Sequence, residues 1–171
     1  MRQTLIKVCQ NLFVGSQNDE VAIRRQSGWF VIHTCKEPYH RQALGYTTPG
    51  APKNHPEYLV AARPSRLILN LVDVDKVSFI APEIVYAALA SIRENIESTR
   101  VLVHCNRGMS WSPAGYRAPV SAEVLKHTDV LGTKKHAQAV QAFEALYPSY
   151  APAKGMADYV LLNWEKYLPA S

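Results

Sequence analysis

The sequence predicts an α/β domain, a central mixed sheet with helices on both faces. Two observations carry this: apolar runs of strand length alternate with helix-patterned segments, and the clearest helical pattern, Pro82 to Ser98, lies between two such runs. Strand, helix and strand in that order form a crossover unit, which implies a parallel sheet. At 171 residues the chain has the size of one domain, 1–171, and can bury roughly 70% of the surface its unfolded form exposes.

The elements follow in order. Leu5 to Gly15 reads as one or two short strands, with a turn over Gly15 to Asn18, and Asp19 to Gln26 as a short helix closed by Gly28. Trp29 to Thr34 (WFVIHT) is a β-rich run. The composition then changes: Lys36 to Arg66 holds five of the eleven prolines, with five basic residues against Glu37 and Glu57. This predicts a basic, Pro-rich surface loop at about 36–66, longer than a connector needs to be. Arg66 to Val72 (RLILNLV) is an apolar strand. In the Pro82 helix, Val85, Ala88, Leu89, Ile92 and Ile96 recur at three- and four-residue spacing, and Pro82 suits a first turn. Arg100 to His104 (RVLVH) is a short buried strand. Ala137 to Tyr147 and Ala157 to Tyr167 read as two helices joined by a Pro148 to Gly155 linker.

Composition excludes several classes. With 47% hydrophobic and 19% charged residues the chain is neither disordered nor collagen-like. A net charge of +5 suits a phosphate-sized anionic ligand and not the coating of duplex DNA. Three cysteines, Cys9, Cys35 and Cys105, make no disulfide framework, so a reducing compartment is expected. No signal-type segment opens the chain and no run of eighteen apolar residues follows, which predicts a cytoplasmic protein with no membrane span.

The chemistry points to the end of RVLVH, because open α/β sheets gather ligands at the carboxyl ends of their strands. Cys105 comes next, followed by Asn106, Arg107, Gly108, Met109, Ser110 and Trp111. A cysteine ending a buried strand and entering a Gly-containing turn meets backbone N–H groups that lower its pKa and grip an oxyanion. One loop then supplies both a nucleophile and a phosphate cradle. The alternative is a buried structural cysteine at a strand end.

VLVHCNRGMS resembles the first half of the signature of the cysteine-dependent protein phosphatases, particularly the small dual-specificity phosphatases: His-Cys, five residues, Arg, then Ser or Thr. NLFVGSQ is similar to that family's first hairpin, LILNLVDVD to its acid-bearing strand and loop, and FEALYPSYAPAKG to its closing segment. The resemblance implies a phosphomonoesterase in which the Cys105 thiolate attacks phosphorus in line and a carboxylic acid protonates the leaving oxygen. It assigns that acid to Asp73, with Asp75 in reserve, and gives His104 the supporting role of orienting the loop. Structurally, either aspartate could cap a turn, and His104 could be a satisfied core histidine.

The second half of the motif departs from the family. Past the five residues that follow Cys105 stands Trp111, where the family has an arginine that grips phosphate with a bidentate fork. In that register Ser112 matches the family hydroxyl and the loop lacks its clamp, which implies a catalytically impaired pseudophosphatase that binds phosphorylated ligands. In a second register Arg117, followed by Ala118 and Pro119, takes the arginine's place and WSPAGY is an insertion. Both registers stand at this point.

The implied substrate is a phosphorylated protein, with a phosphoinositide or an RNA 5′-phosphate end as alternatives, and no cofactor is implied. His33, Cys35, His40 and His55 match no common zinc spacing, so no metal is expected. Cys35, in CKEPYHR, resembles a cysteine of the phosphoinositide-phosphatase branch that can bond with the nucleophile. This gives two readings, a redox partner of Cys105 or a small buried hydrophobe.

Overall fold

The computed structural model describes residues 5–71, 76–104, 135–146 and 154–167. Within them six strands, β1 (Ile6–Cys9), β2 (Leu12–Gly15), β3 (Trp29–His33), β4 (Val60–Arg63), β5 (Arg66–Leu69) and β6 (Arg100–His104), form one sheet in the order β1-β2-β6-β3-β5-β4. The inner four strands are parallel, and β1 and β4 close the two edges antiparallel. The parallel centre is what the strand-helix-strand order implies, and the antiparallel edges make the sheet mixed, as expected.

The first hairpin turns at Gln10–Asn11, where Asn11 takes the left-handed region at φ 62°. The turn expected over Gly15 to Asn18 is therefore corrected: Gly15 ends β2 and Ser16 caps helix α1 (Gln17–Ile23). The Asp19 carboxylate accepts from the Ser16 N–H at 2.7 Å and from the Ser16 hydroxyl at 2.8 Å, and the hydroxyl oxygen accepts from the Asp19 N–H at 3.3 Å. This capping box starts the helix two residues earlier than expected. It also needs Gly15, because a Cβ there would lie 2.9 Å from an Asp19 carboxylate oxygen.

The segment expected as a basic loop is more structured than composition suggested. A helical turn over Lys36–His40 runs into α2 (Arg41–Leu44), which ends at Gly45 with φ 78°, and β4 occupies Val60–Arg63. Charge pairing explains the difference. The Arg41 guanidinium forks onto Glu37 at 2.7 and 2.8 Å across one helical turn, and Arg63 holds Glu57 at 2.7 Å. Much of the loop's basic character thus goes into folding it.

Helix α3 (Pro82–Asn95) begins at its proline and buries Ile84, Val85, Ala88, Leu89 and Ile92. The four larger side chains each contribute about 1.5–3 kcal/mol by leaving water. They pack on Leu12, Val14, Phe30, Ile32, Leu67, Leu69, Val101 and Val103, the residues that period-two alternation turns to one face of the sheet. Helices α4 (His136–Leu146) and α5 (Lys154–Asn163), with the short turn Trp164–Tyr167, complete that face through Ala139, Phe143, Tyr159, Val160 and Trp164. Helix α5 starts at Lys154, inside the expected linker. On the opposite face α1 seats Ile23 against Val31 and Leu102, while Tyr39 and Cys35 pack on Ala61 and Ile68. Helices therefore cover both faces. No helix among the described residues is long and apolar enough to cross a membrane.

Candidate active site

The parallel register gathers the relevant strand ends at one edge of the sheet. Gly15 of β2 and His33 of β3 both pair with His104 of β6, so the chain leaves toward residue 105 between two occupied neighbours. One strand further along, the Leu71 carbonyl accepts from the Lys36 N–H at 3.0 Å, and the chain leaves toward residues 72–75 from the same edge. Cys105, Asn106, Arg107, Gly108, Met109, Ser110, Trp111, Ser112 and Arg117 lie outside the described residues, as do Asp73 and Asp75. The structure describes the frame from which both segments depart.

His104 is the most tightly held part of that frame. It is fully buried, and its carbonyl accepts two bonds from Thr34, from the N–H at 3.0 Å and from the hydroxyl at 2.7 Å. Its Nε2 lies 2.7 Å from Nδ1 of His33, which is also fully buried, so one imidazole donates and the other accepts. Tyr39 stacks on His33 with ring centroids 4.2 Å apart and meets His104 edge-on at 5.2 Å. The Tyr39 hydroxyl donates to Glu20 at 3.3 Å, and Arg24 forks onto the same carboxylate at 2.6 and 3.1 Å. A chain of contacts thus runs from helix α1 to the residue preceding Cys105.

Burial sets the protonation of this chain. It pushes the His33 imidazole down to about 2, assisted by the nearby His104, Arg66 and Arg24. His33 is therefore neutral at ordinary pH. Burial and the Glu20 carboxylate hold the Tyr39 phenol far above its usual value, so it remains a hydrogen-bond donor. A neutral, hydrogen-bonded support fixes both the ring and the backbone of His104, and so the direction in which the chain leaves β6.

His33 and Tyr39 are supports that sequence reasoning did not assign. The available signal was a histidine in the otherwise apolar run WFVIHT, on the same strand face as Val31. The other histidines weighed for zinc have protein partners: His40 contacts the Tyr46 hydroxyl at 3.1 Å and the Glu57 carbonyl at 2.9 Å, and His55 Nδ1 accepts from the Glu57 N–H at 2.9 Å. Cys35 is buried against Tyr39, Ala61 and Ile68. Further along the same segment, Arg41 and Lys36 lie over the Tyr46 ring at 4.7 and 6.0 Å.

No protein-family model and no curated protein sequence matches the chain. Solved structures do match in fold. A variant of human DUSP28 aligns over 95% of this chain and 94% of its own at 16% identity and a TM-score of 0.57. The PTP-2 phosphatase of Cydia pomonella aligns over 95% and 91% at 16% identity and 0.58, and Tk-PTP in its active form over 97% and 99% at 17% identity and 0.56. At these identities the likeness establishes the fold: the chain has the α/β fold of the dual-specificity and tyrosine phosphatases.

Proposed function

We propose that this chain, folded as the dual-specificity phosphatases are, is a phosphomonoesterase of the cysteine-dependent type acting on phosphorylated protein in a reducing, cytoplasmic setting. The observation that carries the reading is the position of His104. It ends a central parallel strand at the carboxyl edge of the sheet, is gripped by Thr34 and His33, and hands the chain directly to Cys105. In a sheet of this kind that is where ligands bind, and the residue types that follow are those of a thiolate in an amide cradle.

In the proposed reaction the Cys105 thiolate attacks phosphorus, an S–P bond forms and the bond to the leaving oxygen breaks. Asp73, with Asp75 in reserve, gives its proton to that oxygen. Water then attacks the phosphocysteine, the aspartate takes up a proton, and inorganic phosphate leaves with the thiolate restored. Backbone amides of residues 106–111 hold the phosphoryl oxygens, and Arg117 supplies the guanidinium if the loop carries an insertion.

A second reading has its own observation. Trp111 stands six positions after Cys105, with five residues between them, and an indole offers one donor where the mechanism needs a charged fork. On that reading the domain holds phosphorylated ligands without turning them over. A single-turnover assay with an aryl phosphate separates the two. A burst of phenol from the wild type that is absent from Cys105→Ser supports the enzyme, while saturable phosphopeptide binding without a burst supports the binding module.

A further inference from the structure

His33 and His104 stand opposite each other in the parallel register of β3 and β6, both fully buried, with His33 Nδ1 2.7 Å from His104 Nε2. Such a bond holds one proton, and either ring can own it. The other nitrogen of His33 decides between them. His33 Nε2 is buried and has no hydrogen-bond partner among the described residues. The hydroxyls of the adjacent Thr34 and of Tyr39, which stacks on the ring, are committed elsewhere, donating to the His104 carbonyl and to Glu20.

A neutral imidazole carries one N–H. Were that of His33 at Nε2, its Nδ1 would accept from His104, and a buried donor would be left with no acceptor among the described residues. The charged groups that act on this ring are two guanidiniums, those of Arg66 and Arg24, and a positive field favours a lone pair over an N–H. Orphaned buried N–H groups are also rare in native folds. With the proton on Nδ1, the same hydrogen lies inside the 2.7 Å bond and only a lone pair remains at Nε2. We propose that His33 is a positioning residue of the candidate site: it donates from Nδ1 to His104 Nε2, and so holds His104 as the tautomer with its proton on Nδ1.

An unconstrained histidine side chain favours the other tautomer, so a specific partner has to select this one. The consequence for catalysis rests on the cysteine-phosphatase reading. Nδ1 is the ring nitrogen nearer the main chain, and the residue after His104 is Cys105. An N–H there presents the positive end of a dipole to the segment that begins with the nucleophile and favours the thiolate. A bare Nδ1 presents a lone pair and opposes it. His33 thus acts through His104, by deciding which end of the second ring carries the proton.

The test reads the proton and its effect separately. In the ¹⁵N-labelled full chain at neutral pH, long-range ¹H–¹⁵N spectra of the histidine rings, assigned with His33→Asn, should show His33 and His104 both protonated at Nδ1 and bare at Nε2. A proton on His104 Nε2 would overturn the proposal. The effect is read as the pH midpoint of Cys105 alkylation by iodoacetamide in the wild type, His33→Leu and His33→Asn, because asparagine keeps an N–H donor near the place of Nδ1 and leucine does not. His33→Leu should raise the midpoint by about one unit, about tenfold less thiolate at a pH below it, and His33→Asn should restore most of the wild-type value. An unchanged midpoint in folded His33→Leu, or equal shifts in the two variants, refutes positioning by donation. Where the leucine variant does not fold, the wild-type tautomer and the midpoint of His33→Asn decide alone. Nδ1 protons on both rings and a low Cys105 midpoint, with no burst of phenol, leave this inference standing and refute the enzyme reading alone.

Discussion

Replacing His33 with leucine should remove one component of the acid sensitivity of the fold. The wild-type imidazole is fully buried and its folded value lies near 2, whereas an unfolded histidine titrates near 6.5. Below pH 6.5 the unfolded chain therefore binds a proton at this position and the folded chain does not. Stability is lost as pH falls through the unfolded value, at about 1.4 kcal/mol per unit, or about 2.3 kcal/mol from pH 6.5 to pH 4.5. The groups near His33 agree in sign: Arg24, which caps the end of α1, Arg66 from β5 and His104 from β6 all oppose its charging, and the Glu20 carboxylate is paired with Arg24. At neutral pH two effects oppose each other. Leucine leaves His104 Nε2 without this partner, and it also removes the unpartnered His33 Nε2, each worth about 1–3 kcal/mol. Urea denaturation of both proteins across pH 7.5 to 4.5 reads the difference directly. His40 and His136, which burial also pushes down, contribute equally to both curves. The His33→Leu protein should gain on the wild type steadily with acidification, and parallel stability curves would refute the buried neutral histidine.

Iodoacetamide near pH 6 should alkylate Cys105 first, since only a thiolate reacts there, and equal labelling of Cys9 in peptide maps contradicts a depressed Cys105 pKa. Asp73→Asn should slow aryl phosphates with poor leaving groups more than activated ones, as only the former need the proton; the same pattern in Asp75→Asn alone reverses the two roles. Trp111→Arg should raise turnover by about 10²-fold or more if the loop lacks its clamp, whereas loss of activity in Arg117→Ala, with little effect of Trp111→Arg, assigns the clamp to Arg117. Mild peroxide should yield a Cys35–Cys105 cross-link on peptide mapping if Cys35 is the resolving thiol; over-oxidised Cys105 with unmodified Cys35 leaves Cys35 as a packing residue.

Much of the architecture could be read from short-range pattern. The α3 helix follows from Val85, Ala88, Leu89 and Ile92 at helical spacing, and β3, β5 and β6 from short apolar runs, because burial of one face imposes a period that the residues must obey. The position of the nucleophile candidate at the end of β6 also follows from order alone: a run ending in His104 can be followed only by Cys105. Local reading went astray where a bond between side chains outweighed composition. Asp19 draws Ser16 into a capping box and moves the turn back to Asn11, and Glu37 and Glu57 fold a stretch that looked like loop.

The support of His104 depends on strands and helices that meet only in the folded chain. His33 and His104 are 71 residues apart, and nothing in either local sequence indicates that their rings meet at 2.7 Å. Their contact arises from the parallel register of β3 on β6, which is set by hydrogen bonds along whole strands and by the shared core beneath them. Tyr39 and Glu20 join the same chain from two further segments of the fold. Residue types along the chain show which side chains are chemically capable. Three-dimensional packing decided which of them touch, because the energy of a buried polar group depends on partners that the chain brings from far along its length.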